Sequence, residues 1–164
     1  MITHRQAALL AALAAAVALG VALASERFGG LAPCALCLVE RWPYRIAIGL
    51  GVLAALLPRA AGRVVLAMLA LIILGDAAIA FVHVGVEQHL WPSPLPECAA
   101  PHLATGSVSK LLASMPLRPA KPCDSPSYLI PFLPLSMAAM DLIYALVFAS
   151  LIGAYLWRTP WRAR

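Results

Sequence analysis

The chain of 164 residues is 63% hydrophobic and 12% charged, with a formal net charge of +5. That length bounds it to one domain. A soluble domain would carry about a quarter charged residues and a disordered chain would need low hydrophobicity, so both classes are excluded. The twelve Lys and Arg are scattered, with no interleaved aromatic patch, which argues against nucleic acid as a partner. The composition predicts an all-α integral membrane protein, residues 1–164 forming a single membrane domain.

Four apolar stretches are long enough to cross a bilayer, for which a helix needs about 20 residues. They are residues 7–24, 42–57, 64–86 and 135–157. Lipid offers no partners to open backbone groups, so each is expected to be helical, and the fold a four-transmembrane-helix bundle. The first stretch ends in Ala22-Leu23-Ala24, which resembles the cleavage site of a signal peptide. Its 18 uncharged residues exceed an ordinary signal core of about 7–15 and favour a retained span. The second stretch is short and holds Arg45, which can snorkel from a position near the helix end, and Pro43, expected to kink that end.

In this arrangement Arg5, Arg59, Arg63, Arg158, Arg162 and Arg164 share one side, in short segments without an acid. Arg27, Arg41, Arg45, Lys110, Arg118 and Lys121 fall on the other, offset by Glu26, Glu40, Glu87, Glu97 and Asp124. The raw count ties, and the density of basic residues near span ends puts both termini in the cytoplasm. Trp42, Trp91, Trp157 and Trp161 lie near span ends, as interfacial anchors do.

Two outer loops follow, residues 25–41 and 87–134. From Trp91 to Pro134 the second holds ten of the fourteen prolines, so it is not one regular element. Within it Val108, Leu111, Leu112 and Met115 recur at i, i+3, i+4 and i+7. That spacing predicts a short amphipathic surface helix, with a plain loop as the alternative.

All four cysteines fall in these outer loops, two in each: Cys34 and Cys37, then Cys98 and Cys123. On an oxidising side of a membrane an even count permits full pairing. A Cys-x-x-Cys pair opens and closes readily and commonly lowers the pKa of one thiol. Pro33 precedes it, and a helix starting there would put the motif in the first turn, where the dipole favours thiolate. Arg41 then lies one turn below Cys37, placed to stabilise a thiolate and to hydrogen-bond a carbonyl oxygen at the membrane edge; the bland reading makes it a snorkelling residue. A Cys3His zinc site from Cys34, Cys37, Cys98 and His102 is a second reading, although it strands Cys123. A c-type haem site is excluded, because Leu38 stands where His is required.

The segment Pro-Cys-Ala-Leu-Cys-Leu-Val-Glu-Arg at 33–41, Trp91-Pro92-Ser93-Pro94 ahead of Cys98, Cys123-Asp124 and Ser136-Met137-Ala138 together resemble the disulfide bond formation protein B (DsbB) family. These are quinone-linked thiol oxidases of bacterial inner membranes. Vitamin K epoxide reductase-like proteins share a similar bundle, but there the quinone-proximal Cys-x-x-Cys comes late; here it precedes span two. The resemblance implies a multi-pass inner-membrane protein with periplasmic cysteine loops, ubiquinone or menaquinone as cofactor, and a periplasmic DsbA-like thioredoxin-fold oxidase as partner.

It further implies Cys34, Cys37, Cys98 and Cys123 as catalytic residues, with no metal. The partner attacks a Cys98–Cys123 disulfide and Cys98 takes the mixed disulfide. Cys123 then attacks Cys34, releasing Cys37 as a thiolate beside Arg41 to donate to the quinone. Arg41 and His83 are the candidate cofactor-binding residues. His83, near the outer end of span three, would line the quinone pocket or relay protons; a satisfied interfacial histidine is the alternative. Asp76 and Asp141 lie within predicted spans, where helix packing explains them as well as a proton route does. A non-enzymatic reading keeps the bundle as a scaffold stapled by loop disulfides that stay closed.

Overall fold

The computed structural model describes residues 3–98, 108–109, 121–130 and 132–159. Among these there is no strand, and four long helices carry the fold: α1 (His4–Arg27), α2 (Ala35–Leu56), α3 (Arg59–Glu87) and α4 (Met137–Arg158). A single 3-10 turn, Pro96–Cys98, lies between α3 and α4. Helices α1, α3 and α4 are each long and apolar enough to cross a membrane. Helix α2 matches them in length with 22 residues but carries Glu40, Arg41 and Arg45 in its first half.

Local chemistry sets the helix ends. Thr3 opens α1 through a capping box with Gln6, and the Ser136 hydroxyl accepts from Ala139 N–H to open α4. The start of α2 differs from expectation. Its N-cap is Cys34, whose sulfur accepts from Cys37 N–H, so Pro33 stands just outside the helix rather than at its first position. The helix begins seven residues before the apolar stretch and winds on through Pro43, which is interior and not terminal. With α1 extended to Arg27, the connection shrinks from 25–41 to 28–34. The amphipathic segment expected near 108–115 lies outside the described residues except for Val108 and Ser109, both helical.

Consecutive helices pack side by side, α1 on α2, α2 on α3 and α3 on α4. Helix α1 presents a buried face of Ala8, Ala11, Ala12 and Ala15, small enough for backbones to approach. At Gly51 of α2 a Cβ would sit 2.8 Å from that of Ala12. Leu66, Leu69 and Ile73 of α3 and Phe148 of α4 fill the centre. One end of the bundle is tied by Arg63, which donates to Leu156 O at 2.9 Å and to the Thr159 hydroxyl. Large apolar side chains such as Leu13, Leu71 and Leu151 remain exposed on the outside, as lipid-facing positions require. The opposite end, where α1 and α3 finish and α2 and α4 begin, holds every cysteine.

Candidate active site

At that end the first turn of α2 faces the last turns of α3. The Cys34 and Cys37 sulfurs are unbridged and lie 2.7 Å apart. His83 of α3 sets Nε2 3.4 Å from Cys34 Sγ and Nδ1 2.7 Å from Glu40 Oε1, and all three side chains form a buried cluster. A carboxylate only accepts, so Nδ1 carries the hydrogen given to Glu40. Nε2 is thereby left facing the sulfur, able to take a thiol proton or, once protonated, to support a thiolate.

The contact between the two sulfurs, more than the N-cap position, favours Cys34 as the thiol that ionises first. The hydrogen bond from the Cys37 side chain, ahead of the contrary effect of burial and helped by Cys37 N–H, holds the Cys34 thiol below its ordinary pKa. Cys37 moves the other way: giving its proton to Cys34, with burial added, pushes its pKa far up. In the dithiol state, then, the favoured thiolate is Cys34 and not the sulfur one turn above Arg41. Arg41 itself is committed sideways, its Nη1 bonded to Glu26 Oε2 at 2.7 Å across the α1–α2 turn.

Cys98 and Cys123, 25 residues apart, form a disulfide with an S–S distance of 2.02 Å. Both are buried in one apolar cluster with Cys34, Leu36 and Val86. The long second loop therefore brings its bridge against the helix-borne pair. Trp91 helps to fasten it: the indole N–H donates to Val82 O at 3.0 Å, and its ring lies on Gly85, where any Cβ would come within 1.9 Å of the indole.

Beside the dithiol a cavity of about 260 Å³ opens between α1, α2 and α4. Cys37, Glu40, Arg41 and Tyr44, spaced i, i+3, i+4 and i+7, run down its α2 wall, and Asp141 and Tyr144 face them from α4. The remaining walls are mostly apolar, Leu19, Leu31 and Met140 among them. Six-membered ring geometry with two carbonyl bonds separates quinone oxygens by roughly 5 Å, and a flat apolar ring with a polar atom at each end suits this lining. His83, expected to line the pocket, does not line the cavity; it reaches the site through Cys34 and the cavity-lining Glu40.

Of the predicted site residues, the structure thus brings together Cys34, Cys37, Cys98, Cys123 and His83, with Arg41 on the cavity wall. The Cys34, Cys37, Cys98 and His102 zinc set is not assembled, because Cys98 is bridged to Cys123; His102 lies outside the described residues. Cys34, Cys37 and His83 instead place their ligand atoms within 4.8 Å of one another, so these three are the described residues that could hold a metal. Sequence reasoning missed Glu40, Glu26 and Tyr44. The signal for two of them was present, since Cys37, Glu40 and Tyr44 share one helical face.

A family model described as disulfide bond formation protein DsbB matches residues 4–155. The chain belongs to the DsbB family. Comparison with curated proteins and with solved structures gave no match. Membership carries the family's general activity, membrane disulfide oxidation linked to quinone. It agrees with an all-helical fold in which three helices are apolar enough to span a membrane.

Proposed function

We propose that the chain is an inner-membrane thiol:quinone oxidoreductase that reoxidises a periplasmic DsbA-like dithiol oxidase. The observation that carries this reading is the shared cluster of both cysteine pairs at the mouth of an apolar cavity. All four long helices would span the bilayer: α2 lies between α1 and α3, and its charges gather toward the cysteine-bearing end, near the interface. Basic residues at the opposite end support a cytoplasmic side for both termini.

In this relay the partner's thiolate attacks the Cys98–Cys123 bridge, and Cys98 takes the mixed disulfide. With Cys34 and Cys37 bridged by an earlier turnover, Cys123 then attacks Cys34, which breaks the Cys34–Cys37 bond and releases Cys37. The hydrogen bond and like charge that Cys34 exerts on Cys37 in the dithiol are absent while Cys34 is bonded to Cys123. Cys37 becomes free to ionise against the cavity, with Arg41 one turn away. His83 takes or returns the thiol proton while Glu40 fixes its tautomer. Ubiquinone or menaquinone, when bound, supplies a two-electron, two-proton acceptor, held by Arg41 and the apolar walls.

The test mixes detergent-solubilised protein, reduced DsbA-like partner and ubiquinone-1, following quinone absorbance. Catalytic loss of quinone, abolished in Cys37→Ser and in Cys98→Ser, supports the relay. Quinone that stays oxidised with an active partner and a folded chain refutes it, and turns attention to a scaffold or a metal at Cys34, Cys37 and His83.

A further inference from the structure

Deeper along the cavity lies a polar group that the relay does not use. Tyr44 Oη donates to Asp141 Oδ1 at 2.7 Å, and both residues line the cavity. Asp141 Oδ2 is buried without a partner among the described residues. Behind them Asp76 of α3 is 0% exposed, and its carboxyl oxygens make no hydrogen bond of full geometry, only looser contact with Tyr44 and Asp141. Tyr44 and Asp141 are among its neighbours. Among the described residues, Arg41 is bonded to Glu26, Arg45 lies over the Trp42 ring, Arg63 at the far end binds Leu156 and Thr159, and His83 is bonded to Glu40. Two carboxyl groups in an apolar bundle with no cation between them are costly if ionised and point to a function.

We infer that Tyr44, Asp141 and Asp76 form a proton-holding inner end of the cavity, which hydrogen-bonds the second oxygen of a para-quinone ring and gives it a proton during reduction. The inference rests on the oxidase reading above. Its geometry is set by α2. Tyr44 lies three residues deeper than Arg41, a rise of roughly 4.5 Å, which matches the roughly 5 Å between the two ring oxygens. A ring whose outer oxygen met Arg41 would have its inner oxygen within reach of the Tyr44–Asp141 pair, one further step down the same wall. Asp141 is the acid that touches the ring. Asp76 is a positioning residue that shares the proton and acts through Asp141.

The proton and electron count closes. Once Cys98, released from the partner, re-forms its bond to Cys123 and frees Cys34, forming the Cys34–Cys37 bond removes two electrons and two protons from the dithiol, and the quinol takes two of each. Asp141 gives one proton to the inner oxygen, leaving the acid pair one proton short. One of the two thiol protons refills it, and the other goes to the outer oxygen. The bonds made are one S–S and two O–H; those broken are two S–H and, as the two carbonyls become hydroxyls on an aromatic ring, one π bond net. No other oxidant enters.

The experiment uses the full chain as wild type, Asp141→Asn, Asp141→Glu, Asp76→Asn and Tyr44→Phe. Infrared spectroscopy reads the buried acid directly, without turnover. The wild type shows a protonated-carboxyl C=O band that shifts in D2O and is lost in Asp141→Asn or Asp76→Asn. With reduced partner and ubiquinone-1, Asp141→Asn lowers kcat about 10²-fold to 10⁴-fold, the loss expected when a general acid is removed, and Asp141→Glu restores most of it. Stoichiometric oxidation of the partner without quinone stays at the wild-type level and certifies the fold. Absence of the carboxyl band, or an Asp141→Asn variant with wild-type kcat and KM, overturns the inference. Should Asp141→Asn lose partner exchange, Tyr44→Phe decides: a raised KM for quinone upholds the site and an unchanged one overturns it. A wild type that exchanges with the partner yet never reduces quinone sinks the oxidase reading itself, while the carboxyl band still reports on the acid pair.

Discussion

The two cysteine pairs sit in the same apolar cluster but are mounted in opposite ways. Cys34 and Cys37 stand three residues apart on a helix start, clamped from α3 by His83 and through it by Glu40. Cys98 and Cys123 come from a 3-10 turn and a proline-bounded turn 25 residues away, joined by their own bond and by Cys123 N–H donating to Cys98 O at 3.3 Å. One pair has its geometry and its proton partners built into two helices. The other is placed by its covalent bond and by a few anchors, Trp91 foremost. A pair that must meet an apolar cavity in fixed orientation needs the first mounting, and a pair that must exchange with a separate protein suits the second.

The largest effect should come from breaking the loop pair on one side. Cys123→Ser leaves Cys98 unable to pass the partner on, so a mixed disulfide with the reduced partner should accumulate near stoichiometry on non-reducing gels. Turnover should fall by roughly 10³-fold or more, as when one member of an interdependent set is removed. Cys98→Ser should give no such adduct. An adduct at Cys98→Ser in place of Cys123→Ser would reverse the order of the relay.

Breaking the helix clamp comes next. Glu40→Gln keeps the shape but removes the charge from the acceptor of His83 Nδ1–H. A charge-assisted bond of this kind contributes about 1.5–3 kcal/mol, so quinone-linked turnover should drop about 10-fold to 100-fold. Partner exchange at Cys98–Cys123 should hold steady. Equal losses in both half-reactions would show that Glu40 merely supports the fold.

These contrasts bear on what could be read from the residues alone. The four long helices follow from hydropathy, and the cysteine grouping with its Cys-x-x-Cys chemistry was visible as a pattern. Contacts made across helices were not. Glu26 and Glu40 look like charges offsetting nearby arginines until folding sets one against Arg41 across a turn and the other against a histidine 43 residues on. The start of α2 was hidden because the apolar stretch stops at Glu40 and Arg41, whereas the helix is capped by a cysteine, a poor signal beside Ser or Asp. Seven-residue spacing put Asp76 and His83 on one face of α3, yet their partners separate them: His83 turns to the dithiol, Asp76 to Tyr44 and Asp141.

The anchor between the two mountings can be tested by filling space. Gly85→Ala puts a methyl group where the Trp91 ring lies. Such overpacking costs about 1–3 kcal/mol, read as a lower thermal midpoint in detergent. The same change should slow oxidation of the reduced partner more than it slows reoxidation of a pre-reduced Cys34–Cys37 pair by quinone, because Trp91 fastens the loop and not α2. Equal slowing would mean that the loop and helix pairs move as one body.

The smallest effect belongs to the cavity wall. Arg41 is 10% exposed at its side chain, while its partner Glu26 is 38% exposed, so solvent screens much of the attraction, and a pair of this kind contributes about 0–1 kcal/mol. Glu26→Gln should therefore leave the thermal midpoint nearly unchanged. What it removes is the tether that keeps the guanidinium beside the cavity, and a loosened donor binds ground state and transition state equally less well. KM for quinone should rise up to about 5-fold with kcat preserved, and Arg41→Lys, which loses the planar fork, should raise KM further. A fall in kcat with KM unchanged would instead assign Arg41 to the ionisation of Cys37, making Glu26 part of the dithiol's electrostatics rather than of the cavity wall.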